Sequence, residues 1–301
     1  MKKIKATILI TSFKEPNISK AIEAALAQDT KENYDIVVSA PDTKTEHLVK
    51  NLSKTNKNLR FLKDPGKGKS FALNLAFPKL KGEIWLLTDG DIYLDEYALS
   101  HILKTFENKK IGCVTGRIIP TNSKKTLTGY WAHLLADAGA HMIRKKLSSQ
   151  NKFLECSAYL FAFKKGLISK IPLDVAEDAF IPYTIYKKGY LIKYNSESRV
   201  YVKNPDTVRD FIKQRIRTAK AHGNLSKYLP GFPKIKSFKN EVKQGTLSAL
   251  KYPSTLKEFL WTLELFPVRL YIWFKAFYEH DLIKRQYTDG WERIETTKIP
   301  K

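Results

Sequence analysis

Short hydrophobic runs alternate with helical patterns over the first ninety residues. Residues 5–11, 34–40 and 84–87 are typical of buried strands, whereas residues 18–28 and 46–52 repeat apolar side chains with helical spacing. This alternation predicts an α/β fold with a mostly parallel central sheet flanked by helices. Ligands of such folds bind beyond the carboxyl ends of the strands.

Acidic residues follow three of these predicted strands. Glu15 comes after the first, Asp42 after the second, and Asp89 and Asp91 after the third. Because the carboxyl ends of parallel strands meet at one edge, we expect the four side chains to converge there. Two carboxylates around a glycine suit Mg²⁺ or Mn²⁺ on a diphosphate, although Asp-Gly is also a common turn dipeptide. The pair therefore indicates either a nucleotide-sugar site or a simple turn.

Further motifs follow in a fixed order. After TSFKE at residues 11–15 and Asp42 come KGKS at 67–70, DGD at 89–91, Glu177-Asp178 and QRIR at 214–217. In this order, from about residue 4 to residue 222, the chain resembles the family 2 glycosyltransferases, inverting enzymes of the GT-A fold. The resemblance implies that a metal-dependent enzyme transfers sugar from a nucleotide-sugar donor to a hydroxyl acceptor, either a glycan or a lipid-linked saccharide.

The resemblance also implies roles for individual residues. Asp91, helped by Asp89, holds Mg²⁺ or Mn²⁺, and Asp178 acts as the catalytic base with Glu177 in an orienting role. The residues implied in donor binding are Thr11, Glu15, Asp42, Lys69 and Asp89. Gln214 and Arg217 resemble the part of the family motif that contacts the pyrophosphate or the acceptor. A family tryptophan is replaced by Thr218, so we expect non-processive transfer.

Some of these residues have simpler interpretations. Residues 68–70 look like the end of a P-loop, but Lys63 replaces its first glycine. Two interpretations are left: a basic turn at which Lys69 meets phosphate, or a solvated basic loop. Asp178 begins a predicted helix after a predicted strand at 153–163, where a carboxylate is either catalytic or a cap. Arg217 lies either at the ligand or on a solvated basic helix.

A helix predicted for residues 127–146 carries polar and aromatic side chains. His133, Asp137 and His141 share one face, which favours hydrogen bonds to neighbouring segments or the border of an acceptor cleft over a metal site. Trp131 precedes them. Its ring either stacks on an acceptor sugar or a lipid head, or belongs to the core.

The net charge of +23 is concentrated in one region. Residues 203–251 hold twelve Lys or Arg against three acids, which implies a polyanionic neighbour. No nucleic-acid motif accompanies this charge, so we expect no nucleic-acid partner. The next segment, 256–278, is rich in aromatic residues, and charges interrupt it so that no uncharged run exceeds five residues. It predicts either helices in a membrane interface, hinged at Pro267, or a face packed on the catalytic domain.

These features predict a GT-A catalytic domain at 1–227 and a basic, aromatic extension at 228–301. Cys113 and Cys156 have no metal-ligand spacing, and no secretion signal is visible. We therefore expect a cytoplasmic protein that associates peripherally with the anionic cytoplasmic face of the membrane. Two alternatives remain: a sugar nucleotidyltransferase, which needs no acceptor base, and a non-catalytic basic protein that binds membrane or nucleic acid.

Overall fold

A computed structural model describes residues 3–221, 224–233, 238–283 and 297. His222 lies outside the described residues, as does most of the chain after residue 283. The strands in this part are β1 (Ala6–Thr11), β2 (Tyr34–Ala40), β3 (Leu59–Lys63), β4 (Ile84–Asp89), β5 (Ile92–Leu94), β6 (Ile111–Pro120), β7 (Phe161–Lys164) and β8 (Leu191–Val202).

The α-helices of the described residues are α1 (Ile18–Leu26), α2 (Thr43–Leu52), α3 (Lys69–Ala76), α4 (Ala98–Thr105), α5 (Leu127–Leu134), α6 (Met142–Ser149), α7 (Glu177–Lys187), α8 (Val208–Ala221), α9 (Leu225–Tyr228), α10 (Phe238–Asn240), α11 (Thr246–Leu250) and α12 (Leu256–Phe277). The other helical segments are a 3-10 turn at Phe77–Lys79 and π-helical segments at Leu135–His141, Glu241–Gly245 and Tyr278–Leu282.

The strands form one sheet in the order β3-β2-β1-β4-β7-β6-β8-β5. Strands β1 to β4 pair in parallel, β7 is antiparallel to both β4 and β6, and β6 pairs in parallel with β8. The predicted α/β fold with a mostly parallel sheet is confirmed. Thr11 pairs with both Ser39 and Asp89, so β1, β2 and β4 end at the same edge.

Both faces of the sheet are covered. Side chains of a strand alternate between its faces, so Leu9 belongs to one buried cluster while Ile8 and Ile10 belong to the other. A parallel sheet is buried on both sides in this way, which explains why its strands are continuously apolar in sequence. The polar residues at the strand ends are therefore directed to the edge.

The strand predicted for residues 153–163 is wrong over most of its length. Only Phe161–Lys164 forms a strand, and the preceding segment is irregular. Its backbone groups are bound by side chains instead of a neighbouring strand, since Arg144 donates to the carbonyls of Glu155 and Cys156. The apolar residues of this segment are buried by packing and needed no strand to be covered.

The helix predicted for residues 127–146 is present, but its middle is the π-helical segment Leu135–His141. The three polar residues on it are hydrogen-bonded to neighbouring segments, as predicted. These contacts join His133 to the Asn122 carbonyl, His141 to the Tyr194 hydroxyl, and Asp137 to Arg117 and Tyr252.

Helix α12 continues through Pro267, so the predicted hinge is wrong. Its inner face packs on α5 and α8 through Leu265 and Ile272, in one core with Trp131. Trp131 is only 1 % exposed, and its indole donates to the Trp261 carbonyl. The alternative in which Trp131 stacks on an acceptor is therefore wrong, because the ring is fully covered by protein. The boundary at residue 227 stays a prediction.

No helix of the described chain has the length and apolar content that crossing a bilayer requires. This finding includes α12, although much of its outer face is apolar.

We expect Gly82→Ala to lower the free energy of unfolding by about 1–3 kcal/mol through overpacking. A Cβ there would lie 2.4 Å from both the Ala6 carbonyl carbon and the Thr7 nitrogen, in the backbone of the central strand β1. Urea denaturation measures the loss. Gly139→Ala is the matched control, since its Cβ would meet nothing within 4 Å. A Gly82→Ala protein as stable as the control would contradict this account of the packing.

Candidate active site

The site lies where β4 ends at the carboxyl edge of the sheet. Asp89 is the last residue of β4, and Gly90 turns the chain beside the loop that follows β1. A Cβ on Gly90 would lie 2.7 Å from the Ser12 hydroxyl oxygen and 2.6 Å from the Ile18 side chain. Glycine is therefore needed because the two loops approach closely. The Ser12 hydroxyl is buried and has no hydrogen-bond partner among the described residues.

A single ammonium group joins the two acidic motifs. Lys69 Nζ lies 2.7 Å from Asp89 Oδ1 and 2.8 Å from Glu177 Oε1. Thr11 Oγ1 donates to the same Asp89 oxygen at 2.9 Å. These contacts connect the ends of β1 and β4 with the starts of α3 and α7. The structure thus brings together Thr11, Lys69, Asp89 and Glu177.

The side chains of this network are strongly coupled. Burial disfavours the Lys69 ammonium, but the Asp89 and Glu177 carboxylates outweigh that effect and raise its pKa. Burial raises the pKa of Asp89 and of Glu177, and Lys69 only partly opposes it. One positive charge therefore holds two carboxylates that the protein has largely removed from water.

Lys69 reaches this position from the first turn of α3. Gly68 precedes the helix with a φ of 108°, in the region that favours glycine, and allows the chain to enter α3 directly from the loop. The sequence predicted a phosphate contact for Lys69. In the structure its ammonium contacts carboxylates, and the phosphate contact stays a prediction.

Asp91 stands two residues after Asp89 and is half-buried. Among the described residues, no group of three or more His, Cys, Asp or Glu side chains is placed to hold a metal ion. Mg²⁺ commonly takes one or two carboxylates together with substrate phosphates and water. Asp91, with Asp89 beside it, provides such a set of hard oxygen atoms. These residues therefore fit a divalent cation that arrives with a diphosphate.

The loops after β1, β2 and β3 contact one another beside this pair. Asp42 accepts from the backbone nitrogens of Lys14 and Thr45 and so ties the first two loops together. Gly66, in the third loop, is close to Pro41 of the second. Glu15 is buried in the first loop. The pKa of Tyr93 is raised chiefly by burial, and the charges of Glu15 and Asp91 add to that rise. The predicted convergence of Glu15, Asp42 and the Asp89/Asp91 pair at one edge agrees with these contacts.

The base motif lies at the start of α7. Ala176 precedes the helix, so Asp178 is its second residue, and its carbonyl accepts from the Cys156 nitrogen. The Asp178 charge raises the pKa of the neighbouring Glu177 carboxyl. Because Lys69 fixes Glu177 against Asp89, Asp178 is held at the same edge of the sheet.

Three residues of this region were missed in the sequence. Asp64 is buried after β3 and accepts from Ser39 and the Gly66 nitrogen. Asp64 directly follows β3, a strand that was not predicted, so no pattern pointed to it. Tyr159 had no signal because the chain before β7 is irregular, whereas Arg215 lies within the QRIR motif on α8 but was given no role of its own.

Tyr159 lies between β4 and α8. Its carbonyl accepts from Thr88, the residue before Asp89. The charges of Arg215 and Arg217 lower the pKa of the Tyr159 phenol, and the charges of Asp91 and Asp89 raise it. Burial is the largest effect and leaves that pKa raised. Charges from both α8 and the Asp89/Asp91 pair thus act on the Tyr159 phenol. On the same helix, Gln214 is buried and its carbonyl accepts from the Thr218 hydroxyl.

Comparison with known families agrees with this geometry. The glycosyl transferase family 2 profile matches residues 7–171, and the chain belongs to that family. The resemblance seen in the sequence is confirmed. The matched part ends before Glu177, so the base motif and α8 lie beyond it.

Two curated relatives illustrate the sequence similarity. The probable glycosyltransferase YdaM of Bacillus subtilis is 26% identical over 177 residues, which cover 57% of this chain and 42% of the relative. The poly-beta-1,6-N-acetyl-D-glucosamine synthase of Staphylococcus aureus is 22% identical over 227 residues, which cover 71% of this chain and 53% of the synthase. The chain thus spans about half the length of these relatives.

Solved structures share the architecture. The mannosyltransferase PcManGT of Pyrobaculum calidifontis, in complex with GDP-Man and Mn²⁺, matches with a TM-score of 0.65 at 18% identity, over 95% of this chain and 89% of its own. Residues 1–349 of TarS from S. aureus, in complex with UDP-GlcNAc, match with a TM-score of 0.52 at 14% identity, over 86% and 79%. The predicted GT-A fold is confirmed.

We expect Lys69→Met to lower the free energy of unfolding by about 3–5 kcal/mol near neutral pH, because two buried carboxylates lose their shared cation. Burial raises the pKa of Asp89 and Glu177. The native state therefore holds protons that the unfolded state releases, and ionisation of the unpaired carboxylates costs stability as pH rises above about 4. The deficit relative to wild type should thus grow from acidic to neutral pH.

Urea denaturation of the Lys69→Met protein at several pH values measures this deficit. Lys67→Met is the matched control, since Lys67 is an exposed lysine of the same loop. A deficit equal to that of the control, or one that grows as the solution becomes more acidic, would contradict the shared-cation account.

Proposed function

We propose that this protein is a metal-dependent inverting glycosyltransferase. It moves a sugar from a nucleotide-sugar donor to a hydroxyl group of a glycan or a lipid-linked saccharide. The observation that carries the proposal is the Asp89–Lys69–Glu177 contact, which unites the carboxylates proposed for the donor with the motif proposed for the base. The complexes of PcManGT with GDP-Man and of TarS with UDP-GlcNAc support a nucleotide-sugar donor.

Asp91 would hold Mg²⁺ or Mn²⁺ on the donor diphosphate, with Asp89 beside it. When bound, the ion would offset the negative charge that develops on the leaving nucleoside diphosphate. Thr11, Glu15 and Asp42 would bind the donor in the loops after β1 and β2. Lys69 opposes the rise in the pKa of Asp89 that burial causes and holds the Asp89 carboxylate in place, and Arg217 adds positive charge on the side of α8.

The transfer is a single displacement. The acceptor oxygen forms a bond to the anomeric carbon while the bond from that carbon to the diphosphate oxygen breaks, so the configuration inverts. Asp178 takes the proton of the attacking hydroxyl, a role that requires hydrogen-bond reach. Glu177 orients the start of α7 through Lys69. The leaving group departs as the nucleoside diphosphate.

Transfer is proposed to be non-processive. Thr218 is exposed on α8 and its hydroxyl donates to the Gln214 carbonyl. A methyl and a bonded hydroxyl offer less stacking surface to a sugar chain than an indole ring would. The product therefore leaves after one or a few transfers.

The outer face of α12 is proposed to lie in an anionic membrane surface. Its exposed apolar residues recur at intervals of three, four and seven, and the row includes Leu256, Leu260, Leu263, Leu270, Phe274 and Phe277. The charge of the preceding residues 203–251 is strongly positive, which complements anionic headgroups. The inner face is packed on α5 and α8, as one alternative raised by the sequence predicts, and the membrane alternative is proposed for the opposite face.

We expect Asp178→Asn to lower the transfer rate by about 10² or more, because the amide keeps the shape but accepts no proton. The donor is first identified by thermal stabilisation with GDP-mannose and UDP-GlcNAc in Mn²⁺. Turnover and donor affinity are then measured separately. Asp174→Asn, in the loop just before α7, is the control and should keep its rate. A near wild-type rate in Asp178→Asn would reduce Asp178 to a helix residue.

We expect the double substitution Leu270→Glu and Phe274→Glu to release the protein from anionic liposomes, because two carboxylates replace apolar contacts in the interface. Co-sedimentation with phosphatidylserine vesicles measures binding. Leu173→Glu is the control, since Leu173 is 50% exposed away from α12. Undiminished binding of the double variant would refute the interface, and a dimer of wild type that the variant loses would assign the row to self-association.

A further inference from the structure

Arg215 is a cation whose charge has little direct compensation. Its Nε is shielded from solvent and has no hydrogen-bond partner among the described residues. Its guanidinium lies over the Phe211 ring, 5.3 Å from the ring centroid. Burial and the neighbouring Arg269 lower the pKa of Arg215. Removal of a cation from water is costly when no anion is paired with it.

Glu241, the acid whose charge acts on Arg215, is already paired with other side chains. Glu241 accepts from Arg269 through both carboxylate oxygens at 2.5 Å, and from the Trp273 indole at 2.7 Å. A bidentate arginine pair uses the directional capacity of a carboxylate. The Glu241 carboxylate is therefore paired with Arg269, and its charge acts on Arg215 only at longer range.

Arg215 lies on the side of β4 opposite the loops proposed for the donor. Those loops follow β1, β2 and β3, which lie on one side of β4 in the sheet, whereas β7 and β6 lie on the other. Tyr159, just before β7, is near both Arg215 and the Asp89/Asp91 pair. Helix α8 packs on α12, whose outer face is apolar. Arg215 thus acts on the same phenol as the Asp89/Asp91 pair, and its helix packs on α12.

We propose that Arg215, together with the Tyr159 hydroxyl, forms a subsite for a phosphate group of the acceptor. The inference rests on the proposed function and names its acceptor as a phosphate-bearing saccharide. The phosphate is recognised and does not react, since the attacking group remains a sugar hydroxyl. A planar guanidinium with several donors matches phosphate oxygens, and the phenol adds one more donor. The phosphate belongs either to a lipid-linked saccharide or to a soluble sugar phosphate.

Phosphate binding tests the subsite without any donor. Inorganic phosphate is titrated into the full-length protein with EDTA present, and the dissociation constant is measured by calorimetry. We expect Arg215→Gln to weaken phosphate at least about tenfold, as loss of a charge-assisted contact does. Tyr159→Phe should weaken it by less and keeps the ring that packs there. Arg209→Gln removes an exposed arginine of the same helix and should match wild type.

Two outcomes of this titration would overturn the proposal: unchanged phosphate affinity in both Arg215→Gln and Tyr159→Phe, or an equal loss in Arg209→Gln, which would indicate only the general charge of α8. Donor affinity is measured on the same variants. A loss of donor affinity in Arg215→Gln that equals the loss of phosphate affinity would assign Arg215 to the donor diphosphate and also overturn it.

Acceptor kinetics then identify the source of the phosphate. Three acceptors with the same sugar are compared: a neutral alkyl glycoside, an alkyl phosphate-linked sugar and a soluble sugar phosphate. We expect wild type to have a lower KM for a phosphate-bearing acceptor, and Arg215→Gln to lose that preference. Preference for the alkyl form assigns a lipid, and equal KM values for both phosphates assign a soluble acceptor. No preference for either phosphate over the neutral glycoside would contradict the proposal. Failure of every nucleotide sugar to bind would instead refute the proposed function, and the phosphate titration would still test the subsite.

Discussion

The ammonium group of Lys69 is the interaction on which the candidate site depends. It lies between Asp89 at the end of β4 and Glu177 at the start of α7, two segments almost ninety residues apart in sequence. Both carboxylates are largely buried, and without this cation they would repel each other and favour protonation. The contact therefore fixes the position of α7 relative to the sheet and opposes the rise in the pKa of Asp89 that burial causes. Packing of the sheet supports the edge, and this contact joins its two acidic motifs.

The fold supplies that contact through strand register. Thr11, Ser39 and Asp89 are level with one another, so three loops and a helix start meet at one edge. In the proposed function, the two sides of β4 would serve the two substrates. The loops after β1 to β3 contain the residues proposed for the donor. Tyr159, Asp178 and α8 lie on the other side, where an acceptor would approach from the direction of α12. This division gives each half of the site its own chemistry.

The sequence predicted the donor side of the candidate site better than the side that contains Tyr159 and α8. Strands β1, β2 and β4 are continuous apolar runs, so their ends, and with them Asp42, Asp89 and Asp91, were visible from pattern alone. The segment before β7 is apolar but irregular, because Arg144 donates to its carbonyls. This is a long-range side-chain contact, which no periodic pattern in the sequence reveals. Trp131 was ambiguous for the same reason: burial against α12 depends on a contact 130 residues away. Lys69 was expected to contact a phosphate. Its carboxylate partners were not foreseen, because they come from other parts of the chain.

Anomalous diffraction from crystals grown with Mn²⁺ and a nucleoside diphosphate tests the central claim most directly. The account predicts a manganese peak in contact with the Asp91 carboxylate and the diphosphate, with Lys69 still between Asp89 and Glu177. A peak elsewhere in the molecule, or a diphosphate bound away from the carboxyl end of β4, would contradict it.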